Sequence, residues 1–365
     1  MARLLIGAGG TGGHIYPVLA VVEALRKGGQ PHTITFVGST DGFERPLIAQ
    51  SGVQLDHYAE VSAGPLNGVG ALRAARSLAQ IALGVAQSAR LMRQQRPQAI
   101  LLTGGWPNVP VALAAWALRV PMLVYLPDIE PGKTIEYLAK LGPRVAVTVE
   151  ASQRYFKPDQ TVVTGYPLRQ QMLTATRAAG QAHFQLDPTR RTLLVFGGSR
   201  GARSINQALE AILPTLLAEG VQVIHVTGTL DWERSQAATQ PHPHYHAYPY
   251  LHEEMALALA AADVALCRAG ASTLGELPHF GLPAVLVPYP HAWRYQRTNA
   301  DWLAERGAAI RLNDEDMAEQ LLPTLRRLLQ DTVQWETMRT AARSIAREGA
   351  AALAQELIRM AGDET

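Results

Sequence analysis

His14 is the side chain in this protein best placed to do chemistry, because five glycines crowd the segment that delivers it, GAGGTGGH at 7–14. Leu4, Leu5 and Ile6 read as the end of a buried strand, and the apolar run from Ile15 to Leu25 has helical spacing. A strand, a tight glycine turn and a helix N-terminus form a site for an anionic or highly oxygenated ligand. An imidazole that titrates near neutral pH lies at its mouth, so His14 can take a proton from a group held there.

A second constellation lies in CRAGASTLGELPHFGLPAVLVPYP at 267–290. A strand ends in Gly270, Ser272 and Thr273 open a helix, and Glu276 follows on its first turns. Hydroxyls and free amides at a helix N-terminus suit a diphosphate, and a carboxylate one turn later can take both hydroxyls of a ribose. Gln296 and Asn299, in HAWRYQRTNA, share a helix face and carry amides suited to sugar hydroxyls. Singly, each has a structural reading: Ser272 or Thr273 as an N-cap, Glu276 as its capping-box partner, Gln296 as a surface polar residue. Their order and spacing together are hard to explain as chance.

Three other signals compete. Gly7, Gly9 and Gly12 satisfy G-x-G-x-x-G, which admits a nicotinamide-dependent oxidoreductase. That reading needs an acid closing the second strand, but TITFVG at 33–38 runs into Ser39-Thr40 and Asp41 is displaced into the loop. Asp314-Glu315-Asp316 matches an Asp-x-Asp metal pattern, yet it follows the strand AAIRLN and opens the helix MAEQLLPTL, where Asn313 and its neighbours read as caps. His242, His244, His246 and His252 lack the cysteine or carboxylate partners that zinc sites bring at matched spacing. No metal or cofactor is expected.

These loops need a scaffold, and the chain repeats one. RTLLVFGGSRGARSINQAL at 191–209 is again an apolar strand, a glycine loop and a helix. Strands follow at 222–228, 262–270 and 283–290, alternating with helices. The expected fold is α/β, with two facing Rossmann-like parallel-sheet domains and a ligand cleft between them. The expected boundaries are 1–167 and 168–345, with a last helix at 346–365 packing back on the first domain. A length of 365 residues suits two cores. Hydrophobic residues at 47% and charged residues at 18% describe a soluble globular protein. One cysteine, Cys267, allows no intrachain disulfide and fits a reducing cytoplasm. No signal peptide is read at the N-terminus, and glycines and prolines break the uncharged stretch 97–118, so it is no membrane span.

The net charge of +2 conceals an asymmetry. From Val61 to Pro127 there is no Asp or Glu, while Arg73, Arg76, Arg90, Arg93, Arg96 and Arg119 all fall inside. The segment 70–96 reads as basic amphipathic helix, with Leu72, Leu78, Ile81, Leu83, Val85, Leu91 and Met92 for an apolar face. Such a helix can rest on an anionic membrane surface, or simply cover a sheet with its arginines in water. Without interleaved aromatics or a binding motif, no nucleic-acid partner is expected.

At this point the chain resembles the MurG family of peptidoglycan N-acetylglucosaminyltransferases over nearly its whole length. The resemblance rests on GTGGH at 10–14, TGGWPNVP at 103–110, GYPLR at 165–169, FGGSRGARSIN at 196–206, CRAGASTLGE at 267–276 and QRTNA at 296–300. It implies a GT-B type fold and an inverting glycosyltransferase with UDP-N-acetylglucosamine as donor substrate, held by the C-terminal domain. It also implies a lipid-linked muramyl pentapeptide acceptor on the N-terminal domain, at the cytoplasmic face of the membrane. Glu276 would hold the ribose, and Ser199, Arg169, Ser272 and Thr273 the diphosphate. Leu251 would present its backbone to uracil, Gln296 would contact the sugar with Asn299 nearby, and Thr11, Gly12 and Gly13 would complete the donor side. His14 would face the acceptor hydroxyl.

The acceptor side departs from the family pattern. Tyr125-Leu126-Pro127-Asp128, then Ile129-Glu130-Pro131-Gly132, stand where the family typically carries a His-Glu-Gln-Asn run, and Trp106-Pro107 replaces Tyr-Val. Trp106, Asn108, Asp128 and Glu130 are therefore the acceptor-side candidates, with Asp128 or Glu130 able to act as base or to orient His14. A different lipid or natural-product acceptor, and a sugar-nucleotide sensor without turnover, remain the alternatives at this stage.

Overall fold

The computed structural model describes residues 1–9, 12–40, 42, 44–65, 70–198, 201–290 and 295–362. Contacts divide the chain into two units, Met1–Arg169 with Glu348–Thr365, and Gln170–Arg347.

The first unit opens with β1 (Arg3–Gly7), α1 (Gly12–Lys27), β2 (Thr33–Ser39), α2 (Glu44–Ser51) and β3 (His57–Val61). It continues through α3 (Ala71–Gln95), β4 (Ala99–Leu102), α4 (Asn108–Leu118), β5 (Met122–Leu126), α5 (Lys133–Ala139), β6 (Arg144–Val147) and β7 (Thr161–Val163). The seven strands pair in parallel in the order β3-β2-β1-β4-β5-β6-β7. Central strands are apolar, MLVYL throughout and RLLIG after its exposed Arg3, because helices cover both faces.

In the second unit α6 (Gln170–Thr174) and α7 (Arg177–His183) lead into β8 (Thr192–Phe196), α8 (Arg203–Ala218), β9 (Gln222–Val226) and α9 (Trp232–Ala238). Next come β10 (Tyr245–Tyr248), α10 (Glu254–Ala261), β11 (Val264–Cys267), α11 (Thr273–Phe280), β12 (Ala284–Leu286) and α12 (Tyr295–Glu305). β13 (Ala309–Arg311), α13 (Met317–Gln330) and α14 (Thr332–Ser344) complete it. Six parallel strands run in the order β10-β9-β8-β11-β12-β13. Both units are thus Rossmann-like α/β domains.

The last helix, α15 (Ala350–Met360), belongs to the first unit. Leu353, Ala354 and Leu357 share a core with Ile15, Val18, Leu19 and Val22 of α1. Each buried leucine there stabilises the packing by about 2 kcal/mol. Arg144 bonds Glu356 at 3.1 Å, and the Gln98 amide donates to the Ala361 carbonyl.

On α3 the structure corrects the expected apolar face. Its buried line is Ser77, Ile81, Gly84, Ser88 and Met92, while Leu78 and Leu83 are 58% and 54% exposed. Small residues win the inner positions because α3 presses closely on its neighbours. A Cβ at Gly84 would stand 3.0 Å from Pro110 Cβ in α4. The larger leucines are left outside beside Arg76, Arg90 and Arg93, which are also exposed.

Each strand order reverses once, between β1 and β4 and between β8 and β11. At such a switch point neighbouring loops part to opposite faces of the sheet, and the strand ends leave a crevice for a ligand. The segments after β1 and β4, and those after β8 and β11, stand at these two points, whereas GYPLR after β7, Leu251 after β10 and Asp314 after β13 follow edge strands.

Candidate functional site

At the β1–β4 switch point, α1 starts directly after the glycine turn and carries half-buried His14 in its first turn. The imidazole lies beside Gly104 of the loop after β4, where a Cβ would stand 3.6 Å from His14 Cε1. Gly105, at φ +79°, has no room for a side chain, since a Cβ would strike the Gly9 carbonyl. The two loops therefore meet backbone to backbone, and Thr103 Oγ1 donates to the His14 carbonyl at 3.0 Å. Burial pushes the His14 pKa below its ordinary value, partly opposed by a backbone hydrogen bond with Thr103. Nδ1 is buried and has no hydrogen-bond partner among the described residues. A neutral ring with an unengaged nitrogen is the state a general base requires.

The other first-unit candidates divide into surface and support. Asp128 and Glu130 are half-buried just after β5, either side of buried Ile129. Tyr125 is a core residue of β5 whose hydroxyl meets Thr148 Oγ1 at 2.8 Å. Burial above all, with the Asp128 charge adding to it, pushes its phenol well up. Trp106 is half-buried in the turn before α4. Asn108 is buried: its amide donates to the Gly104 carbonyl, and its Oδ1 lies 2.5 Å from where a Gly7 Cβ would stand. It ties the His14-facing loop to the end of β1 rather than offering a surface contact. Arg169 places its guanidinium 4.6 Å from the Tyr16 ring, two residues beyond His14 on α1. Gly12 and Gly13 open α1, Gly13 being exposed, while Thr11 lies outside the described residues.

One residue of this loop system escaped the sequence reading. Glu44, 1% exposed at the start of α2, accepts from Ser39 Oγ at 3.1 and 3.3 Å. Its Oε1 lies 2.5 Å from where a Gly9 Cβ would stand. A carboxylate beneath the glycine turn fixes that turn from below. The available signal was an acid opening a helix straight after Gly42 and the residue beside it.

At the β8–β11 switch point two glycine loops meet. Gly201, at φ +80°, backs onto the Thr227 carbonyl where no Cβ fits; Ser199 lies outside the described residues. After β11, Thr273 donates its hydroxyl to the Gly270 carbonyl at 2.6 Å and is buried. Ser272 caps α11 by position, without a side-chain capping bond. Glu276 is half-buried on the same helix, and its charge adds to burial in pushing the Cys267 thiol up. Asn299 is fully buried and donates to the Ala269 carbonyl at 3.1 Å, so it supports the loop from beneath. Gln296, half-buried, accepts from the Tyr289 amide at 2.9 Å. Leu251 is buried just beyond β10.

Arg268 locks these loops together. Its guanidinium donates to the Val287 and Pro288 carbonyls after β12, to Ser204 Oγ at 2.8 Å in α8, and to Asp314 Oδ1 at 2.5 Å after β13. Ser204 also donates to Asp314, at 2.9 Å. The first aspartate of the Asp-x-Asp pattern is therefore committed to an arginine. Of the caps expected there, Asn313 donates to Asp316 at 2.8 Å.

A buried polar chain underlies the β8 loop. The Asn206 amide donates to the Thr227 carbonyl and to Asp231, so its oxygen must face His225 Nε2 at 3.0 Å. His225 accordingly donates through Nε2 and accepts the Tyr245 hydroxyl at Nδ1, 2.8 Å away. Burial, reinforced by Arg234, lowers the His225 pKa to about 4. Above pH 6.5 both folded and unfolded forms are neutral and the full stability is present. Between 6.5 and about 4 the unfolded chain takes a proton that the folded one refuses, and stability falls by up to about 3 kcal/mol. The Asp231 carboxylate, held well below its usual range by Arg234, acts only below the ordinary carboxylate pKa. A thermal midpoint that drops between pH 7 and 4.5 in the wild type, and drops less in His225→Gln, is the expected result. Parallel curves would remove His225 from the account.

Comparison with known proteins follows the same division. Residues 4–147 match the glycosyltransferase family 28 N-terminal domain and residues 192–357 the family 28 C-terminal domain. The UDP-N-acetylglucosamine–N-acetylmuramyl-(pentapeptide) pyrophosphoryl-undecaprenol N-acetylglucosamine transferase of Roseiflexus sp. (strain RS-1) is 38% identical, covering 96% of this chain and 92% of that protein. The protein of the same name from Geobacter sulfurreducens is 34% identical, covering 98% of each. The crystal structure of Acinetobacter baumannii MurG superposes with a TM-score of 0.77 at 25% identity, over 98% of this chain and 100% of that one. The calicheamicin glycosyltransferase CalG4, at 16% identity and TM-score 0.69 over 100% and 99% of the two chains, shares the fold.

Proposed function

The chain belongs to glycosyltransferase family 28, and from that premise we infer that it moves N-acetylglucosamine from UDP-N-acetylglucosamine to the lipid-linked N-acetylmuramyl pentapeptide of peptidoglycan synthesis. The observation that carries this reading is near-complete coverage, at 34–38% identity, by relatives named for that transfer. The alternatives left open by the altered acceptor segment lose weight, because Tyr125 and Leu126 are core residues of β5. Their departure from the family pattern is a change of packing, and only Asp128 and Glu130 bring it to the surface.

In this reading His14 removes the proton of the attacking hydroxyl while the acceptor oxygen displaces UDP with inversion at the anomeric carbon. Trp106, Asp128 and Glu130 seat the acceptor, with Asp128 orienting the reacting group. On the donor side Glu276 holds the ribose, Leu251 meets the uracil, and Gln296 meets the sugar. Arg169, Ser199 and the N-terminus of α11 stabilise the negative charge that builds on the departing diphosphate. Thr273, Asn299 and Arg268 keep that loop in shape. We take the transfer to need no metal or cofactor, since guanidinium and helix dipole supply the compensating charge.

No helix among the described residues is long and apolar enough to cross a membrane. Exposed Leu78 and Leu83, flanked by arginines on α3, support peripheral attachment to an anionic bilayer at the cytoplasmic face.

Calorimetry with UDP tests the donor assignment. Glu276→Gln removes a charged acceptor for two hydroxyls, which predicts affinity about 10–100-fold weaker, with 2′,3′-dideoxy-UDP bound equally by both proteins. Unchanged UDP affinity in Glu276→Gln would take the ribose away from α11.

A further inference from the structure

The second unit has a pocket at the end of its sheet opposite the glycine loops. It lies where β8 and β11 begin, and is lined by Arg177, Asp263, His279, Trp335, Arg339 and Arg343. Positive charge is gathered here by specific packing. Asp263, 3% exposed, takes Arg177 at 3.1 Å and Arg191 at 3.2 Å while also accepting from the Thr192 amide at 2.8 Å. Trp335 is fixed by its indole N–H on the Asp263 carbonyl at 2.8 Å. Its ring carries Arg191 at 4.1 Å and Arg339 at 5.0 Å. Arg343 lies across Gly281, its Cγ and Nε 2.6 Å from where a Cβ would stand, so that glycine clears the arginine's path.

Four guanidinium groups therefore stand against two carboxylates, which pair with three of them. Asp263 is fully used, and among the described residues half-exposed Glu336 reaches only Arg339, at 3.6 Å. The Arg343 side chain makes no hydrogen bond or ion pair among the described residues. Arginines brought together without matching acids repel one another, and their planar forks match the oxygens of a phosphate group. The concave setting focuses that positive field on whatever enters.

We propose that this pocket is a second anion site, taking a soluble phosphate-class oxyanion with two or more negative charges. Arg339 and Arg343 are its principal donors, and Arg177 faces it while paired to Asp263. The transfer reaction described above does not use it. α11 joins the two ends of the unit: Ser272 and Glu276 stand at its donor end, and His279, Phe280 and Gly281 line this pocket.

The test is calorimetric titration of inorganic diphosphate into the full-length protein saturated with UDP, so that diphosphate seated at the donor end is not counted. Saturable binding to one site is expected, weakened about tenfold or more in Arg343→Ala and in Arg339→Ala. Both variants alter partly exposed side chains and should keep the wild-type thermal midpoint. No saturable heat in the wild type, or equal affinity in both variants, overturns the proposal. Retention on phosphatidylglycerol vesicles separates the two sources of phosphate. It should be unchanged by Arg343→Ala, whereas a loss would assign the pocket to lipid headgroups and overturn the soluble-anion reading.

Discussion

His14→Ala is expected to lower the transfer rate by about 10²–10⁴-fold and to leave UDP affinity as it was. The expectation follows from how the ring is held. α1 presents it at the β1–β4 switch point, Gly104 leaves it room, and burial keeps it neutral with Nδ1 unengaged. The sign of the pH effect is fixed by the same facts. A base must be deprotonated to work, and the His14 pKa lies below 6.5, so kcat/KM should hold steady at neutral pH and fall on the acid side of 6.5. In Asp128→Asn that acid limb should persist, since Asp128 is assigned to orienting the acceptor. A limb that vanishes in Asp128→Asn and survives in His14→Ala would exchange the two roles.

The second large effect is expected at Asp314, a residue that touches no substrate in this account. Arg268 is 10% exposed on its side chain and Asp314 17%, and their bond joins the ends of β11 and β13 through Ser204 of α8. Removing the carboxylate leaves a largely buried guanidinium short of its anion, at a cost of about 3 kcal/mol. For a unit of the size of Gln170–Arg347 the midpoint of its unfolding should drop by roughly 8 °C. Because Arg268 also grips the Val287 and Pro288 carbonyls, the loop leading to Gln296 should loosen too, raising KM for the donor more than it lowers kcat. Arg268→Ala should give a similar loss, and the double variant little more than either alone. The metal reading of Asp-x-Asp makes the contrary claim. It requires Asp314→Ala to be as stable as the wild type and to have lost a divalent-ion stimulation that the wild type shows.

Much of the fold was legible because parallel sheets buried on both faces leave near-continuous apolar strands, each stopped by a glycine loop. RLLIG before GAGGTGGH and TLLVF before GGSRGA are the two plainest cases. The candidate positions could be read where chemistry and turn geometry coincide: His14 lies in the first turn of α1, and Ser272 and Glu276 lie at the start of α11. They were illegible where a side chain's direction decides its role. Thr273 and Asn299 have the right groups for a ligand, but their polar atoms turn inward to the Gly270 and Ala269 carbonyls. Asn108 likewise spends its amide on Gly104. On α3, periodicity alone did not reveal that Ser77, Gly84 and Ser88 would be chosen for close packing over Leu78 and Leu83. The supports Glu44, Arg268 and Asp314 escaped for a related reason. Arg268 and Asp314 meet far along the chain, and Glu44, though bonded to nearby Ser39, matters through its place under Gly9; residue type gives no sign of either.

The most direct test of the central claim is transfer of labelled N-acetylglucosamine from its UDP form to a short-chain lipid-linked muramyl pentapeptide, with EDTA present throughout. Product from the wild type and essentially none from His14→Ala, with UDP binding equal in both, is the expected outcome. No product from the wild type, although it binds UDP-N-acetylglucosamine under the same conditions, would contradict the assigned acceptor or the metal-free mechanism; repeating the assay with Mg²⁺ in place of EDTA would say which.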